Sequence, residues 1–188
     1  MKKIILFVAM AVVSTGAFAQ KFAHINSTEV FQLVPEMDEV RTQLESVAKD
    51  NQDVMKAMYD EYQAKAQAYQ QNAAKWTPAV KESKEKELME MENRIQETQQ
   101  SMQQEMQTIQ NNLTAPVMQK IQETISTVAK KGGYIYVFDI SSALYIDPAQ
   151  SVDITREVRI ALNIPDGRTL ESLQAELQAK QQQQAAGN

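Results

Sequence analysis

Along most of the chain the apolar positions recur at steps of three and four, the spacing of one helix face, and no glycine falls between Glu36 and Lys131. One strong interruption, Lys75-Trp76-Thr77-Pro78, breaks the run. The pattern predicts a long antiparallel helical hairpin over residues 36–131 with its tip near 75–79. On the outgoing arm Val40, Leu44, Val47, Val54 and Met58 form one seam, in which polar Asn51 occupies a step. Met55, Tyr59, Tyr62, Ala66, Tyr69, Ala73 and Trp76 form a second, offset register, as after a stutter. On the return arm Leu88, Met91, Ile95, Met102, Met106, Ile109 and Leu113 give a thin seam, with nine Gln or Asn among the seventeen residues from Gln96 to Asn112. Pro116 predicts a kink or restart near 114–117 with Thr114 as the cap, because an interior proline costs a helix roughly 3 kcal/mol. Val117, Ile121, Ile125 and Val128 then supply a denser stripe.

The flanks change period. Lys21 to Asn26 alternates like a strand, and Asn26-Ser27-Thr28-Glu29 carries a cap with glutamate three residues on, which predicts a short helix through Leu33. Lys130-Lys131-Gly132-Gly133 marks the end of the return arm. Tyr134 to Ile140 is the strongest strand signal. Ala143-Leu144-Tyr145-Ile146 is expected as a second strand across a Ser141-Ser142 turn, and Asp153-Ile154-Thr155 as the start of a closing helix. Residues 20–35 and 132–164 thus form a discontinuous β-rich body, and the fold class is α+β, mostly α. So small a body is marginal alone and has open strand edges. Oligomerisation is therefore expected, with Phe22, Ile25, Ile135, Val137, Phe138 and Leu144 as candidate strand positions. In the extension 165–188, Leu170, Leu173 and Leu177 keep helical spacing, and the glutamine-rich end from Gln181 to Asn188 is expected to be disordered.

Composition narrows the function. Lys2-Lys3, the apolar run Ile4 to Val13 and Ala17-Phe18-Ala19 read as a signal peptide over residues 1–19, cleaved between Ala19 and Gln20, which places the mature protein in the periplasm. No later segment is long and apolar enough to cross a bilayer, and there is no cysteine for a disulfide or a lipid anchor. Loss of Lys2 and Lys3 leaves 17 basic against 24 acidic residues, a net charge of -7, which argues against nucleic acid and anionic lipid as partners. His24, the only histidine, has no cysteine or acidic cluster beside it in the sequence and reads as packing. The acidic run around Glu82, Glu85, Glu87, Glu90 and Glu92 is interleaved with Lys81, Lys84 and Lys86, as on a solvated helix face. No phosphate loop, dinucleotide glycine pattern or nucleophile elbow occurs. We expect no catalytic residue, metal or cofactor, and no enzyme activity.

Three features together resemble the OmpH/Skp-like family of periplasmic chaperones for outer-membrane proteins. They are the opening Phe22-Ala23-His24-Ile25-Asn26-Ser27-Thr28-Glu29-Val30-Phe31, the long polar hairpin, and the closing block Val128 to Asp139 with Leu144-Tyr145 and Asp153-Ile154-Thr155. The resemblance extends to about Ile164. It implies a homotrimer whose short strands assemble into a central barrel. Three hairpins would extend from it as tentacles in a prefoldin-like arrangement, holding unfolded outer-membrane proteins in a cavity without ATP. The best-known members are basic, whereas this hairpin has twelve basic against sixteen acidic residues, so no lipopolysaccharide site is carried over.

Such a task suits methionine, whose flexible thioether adapts to irregular apolar partners, and eight of the ten methionines lie between Met37 and Met118. The candidate client contacts are Met55, Met58, Tyr59, Tyr62, Tyr69, Trp76, Met89, Met91, Met102 and Met106. The plainer expectation for each is packing between the two arms. The alternative function is a structural coiled-coil spacer or adaptor of the cell envelope that binds one folded partner.

Overall fold

Lys21–Ile25 forms β1, the central strand of a three-stranded sheet in which β2 (Tyr134–Asp139) and β3 (Ser151–Asp153) both run parallel to it. The structure, a computed structural model, describes residues 21–186, so the signal segment and its Ala19-Gln20 cleavage point lie outside the described residues. Strand alternation gives the sheet two faces: Ala23 and Ile25 are buried on one, and Phe22 and His24 turn to the other. On that second face Phe22 stacks on Tyr136 at 6.3 Å between ring centroids and Tyr136 on Phe138 at 5.9 Å, an aromatic row that stays largely exposed. Tyr134 and Tyr136 stand opposite Lys21 and Phe22, so Ile135 is the extra residue of a bulge.

Helix α1 (Ser27–Leu33) starts on the predicted Asn26 cap. Asn26 Oδ1 accepts from the Glu29 amide at 3.0 Å and Asn26 Nδ2 donates to Glu29 Oε2 at 3.3 Å. Asp139 then ties β2 to α1, because its carboxylate accepts from the Ser141 amide at 2.7 Å and from the Ser27 amide at 3.1 Å. The Ser141 hydroxyl, which also donates to this carboxylate, then the Ser27 side chain, and after them these amides hold the Asp139 carboxyl down at about 2. They also close a tight turn over Ile140–Ser142, and this corrects one expectation. Ala143 to Ile146 is not a strand, and Leu144 is fully exposed outside any ladder. The third strand is β3, which runs parallel to β1; a two-residue turn can join only antiparallel neighbours. Ile25, expected at a subunit boundary, is instead in the body's own core.

After β3, Asp153 Oδ1 accepts from the Thr155 amide at 2.9 Å and α4 (Thr155–Ala161) follows, burying Val158. Arg159 reaches from α4 to the Glu29 carboxylate and donates to the carbonyls of Pro165 at 3.2 Å and Arg168 at 2.6 Å. This clasp fixes the segment leading into α5 (Leu170–Ala186). Helix α5 opens on a reciprocal Thr169/Ser172 cap, packs against α1 and buries Leu173. Helix continues from Gln181 to Ala186, where disorder was expected. Glutamine and alanine are good helix formers, and the capped, docked first turns nucleate the rest.

The chain divides into two compact units, one comprising the segments up to Leu33 and from Ile121 onward, the other Val34–Lys120. Unit two holds the hairpin of α2 (Glu36–Asn72) and α3 as far as Lys120; α3 as a whole runs Pro78–Gly132 and ends on Gly133 at φ 71°. Pro116 lies inside α3 without a restart. Thr114, expected as a cap, instead donates its hydroxyl back to the Gln110 carbonyl at 2.8 Å, as a mid-helix threonine does. Between the arms the chain turns through Ala73–Lys75 and an extended Trp76, with Pro78 as the first residue of α3.

Candidate functional site in the hairpin

The arms are stitched in register. Glu36 pairs with Lys120, the Tyr62 hydroxyl donates to Glu92, Lys65 pairs with Glu87, and the Tyr69 hydroxyl donates to Glu85, so partners fall along α3 as they rise along α2. Each bond has an electrostatic signature. Lys65 and, after it, Lys84 at 2.8 Å hold the Glu87 carboxyl at about 2, and Lys120 lowers that of Glu36. The carboxylates of Glu92 and Glu85 raise the Tyr62 and Tyr69 hydroxyls, and Glu87 raises Lys65.

Apolar packing follows the two predicted registers in succession. Near the start of α2, Met37 and Val40 are buried, as is Val117 of α3. Past Asn51 the first register loosens, with Val54 47% exposed and Met58 half-buried, and beyond the exposed Tyr59 the second carries the packing through half-buried Tyr62, Ala66 and Tyr69, after a half-buried Met55. Opposite it Met91 and Ile95 are buried, and beyond them no residue of α3 is buried until Val117. A stutter leaves neither register aimed at the partner helix, and the thin Gln96–Asn112 seam has little to fill the space. The result is a groove of about 400 Å³.

Three candidate residues, Met55, Met102 and Met106, are half-buried in this groove. Ala48, Asn51 and Gln52 line it from α2 at helical steps, and four glutamines line it from α3. None of its ten lining residues is charged, although charged residues make up 23% of the chain. The other candidates separate by environment. Met91 is 1% exposed and accepts a contact from Arg94 at 2.8 Å on its sulfur, so it is hairpin core and is corrected as a surface contact. Tyr62 and Tyr69 spend their hydroxyls on the opposite arm. Trp76, a candidate contact at the tip, is half-buried with its ring edge-on to Tyr69 at 5.8 Å, because the extended turn folds the indole back over α2. Met58 is half-buried, while Tyr59 and Met89 (61%) are exposed outside the groove. The glutamines of the groove were passed over in the sequence because they read as a weak seam; their steps of four along α3 were the available signal.

In unit one, His24 Nδ1 lies 2.8 Å from Ser151 Oγ, which links β1 to β3. Among the described residues no group of three or more His, Asp or Glu side chains could hold a metal ion, and no helix is long and apolar enough to cross a membrane.

Residues 21–162 match the family described as outer membrane protein (OmpH-like). The chain is similar to chaperone protein Skp of Yersinia pseudotuberculosis serotype I, 33% identical over 153 residues covering 81% of this chain and 92% of the relative. It is 26% identical to chaperone protein Skp of Yersinia enterocolitica over 148 residues, covering 78% and 90%. A solved structure of an OmpH-like protein from Caulobacter crescentus CB15 shares the fold, with a TM-score of 0.68 at 18% identity, covering 79% of this chain and 86% of that one. Helix α5 lies beyond the matched family region.

Proposed function

The chain belongs to the OmpH-like family, and from that premise we propose that it is a periplasmic chaperone that binds unfolded outer-membrane proteins and keeps them from aggregating. The observation that carries this reading is the methionine-floored groove in the hairpin, a soft apolar surface flanked by polar side chains and open to an irregular partner. The relatives named as chaperones support it. Binding and release need no nucleotide, since the contacts are weak and distributed.

We further propose that three copies assemble through the body. Among the described residues both outer strands, β2 and β3, have a neighbour on one side only, and in the aromatic row Tyr136 and Phe138 are exposed beside a half-buried Phe22. Open edges and exposed aromatics of this kind are covered by association. Clients would then be held between the hairpins of the subunits. A photo-crosslinking residue in place of Gln103 tests the reading in the periplasm. It is expected to capture many unfolded barrel proteins; capture of one folded protein in fixed stoichiometry would favour an envelope spacer instead.

A further inference from the structure

We propose that the α2/α3 groove is a binding site for an uncharged, extended polypeptide segment, whose backbone pairs with the glutamine amides and whose apolar side chains rest on the methionines. The inference rests on the chaperone reading and names the chemistry that the site recognises. Half-buried Met55, Met102 and Met106 form the floor, and exposed Gln52, Gln99, Gln103 and Gln107 form the rim. A side-chain amide offers donors and an acceptor as a peptide group does, so it can satisfy a backbone left unpaired in an unfolded chain. The amides of Gln52, Gln99 and Gln103 pair with no other described residue, and Gln107 donates only to Asn111 at 3.3 Å.

The spacing fits an extended chain. Gln99, Gln103 and Gln107 recur every four residues, about 6 Å of helix rise, while backbone groups on one side of a strand recur every two residues, about 6.6 Å. Over three amides the mismatch grows to roughly 1 Å, which glutamine side chains absorb. Met102 and Met106 share the same step of four and so match alternate side chains of that segment. With no charged residue in the groove, a charged segment finds no counter-ion, and the capture of a neutral one does not depend on salt.

The test uses an end-blocked, fluorescently labelled peptide alternating leucine and threonine, and a copy N-methylated at alternate amides, titrated with the full chain at low and high salt. The unmodified peptide is expected to bind equally at both salt concentrations and roughly tenfold more tightly than the methylated copy. In Q99A/Q103A/Q107A, whose helix propensity is preserved, that discrimination should vanish. Equal binding of the two peptides to the natural chain, binding of neither, or loss of binding at high salt would overturn the site. Suppression of aggregation of an unfolded barrel protein, measured on the same preparation, separates the two claims. If suppression persists without peptide discrimination, the site falls and the chaperone reading stands; if suppression is absent, the reading itself falls.

Discussion

Asn26 and Asp139 show how single side chains hold the small body together. Asn26 caps α1 through the Glu29 amide, so Asn26→Ala is expected to cost about 1 kcal/mol in a thermal or urea melt. Asp139 joins the end of β2 to the first turn of α1. Its carboxyl is depressed in the folded state, so its contribution is present above its ordinary value of 3.8 and is lost as pH falls through about 2. Leu173 lies outside the matched family region yet is buried in unit one, and Leu173→Ala should destabilise that unit by about 2–3 kcal/mol. The Asn26 cap was legible because its spacing to Glu29 is local. The role of Asp139 was not, since its partner Ser27 lies 112 residues away in sequence.

At the scale of elements, the hairpin's stitches make its stability depend on pH at both ends. Glu87 has a folded-state pKa of about 2 against an ordinary 4.5, so its stabilisation holds above 4.5 and disappears as pH falls through about 2. Tyr62, Tyr69 and Lys65 are raised, so their contributions hold below their ordinary values of 10.0, 10.0 and 10.5 and are lost as pH climbs through the raised ones. Far-UV circular dichroism melts across pH should show a plateau between these limits, and Glu87→Gln should flatten the acid limb. Because α3 passes through Pro116 unbroken, Pro116→Ala should stabilise the hairpin, by up to about 3 kcal/mol. The hairpin, its tip and its two registers could be read from periodicity. The order in which the registers are used could not, because a helix pattern does not reveal which face meets a partner. The false strand at 143–146 has a similar cause: β propensity locates apolar segments, while parallel pairing with β1 chose Ser151–Asp153.

For the whole molecule, charge and surface divide the work. On the proposed reading, the acidic chain disfavours capture of acidic segments, and the uncharged groove shifts recognition to methionine and amide contacts. Since those contacts are many and weak, no single alanine substitution in the groove is expected to abolish chaperone activity, whereas Met55, Met102 and Met106 replaced together by serine should weaken it several-fold in an aggregation assay. The acidic charge and the glutamine-rich stretch from Gln96 to Asn112 were legible in sequence. The groove was not, for it exists only where two arms distant in sequence fail to fill the space between them.

Light scattering of an unfolded outer-membrane barrel protein, diluted from denaturant with and without this chain, tests the central claim most directly. With the chain in excess over the client, scattering is expected to stay near baseline without added ATP. Aggregation unchanged by that excess would contradict the account.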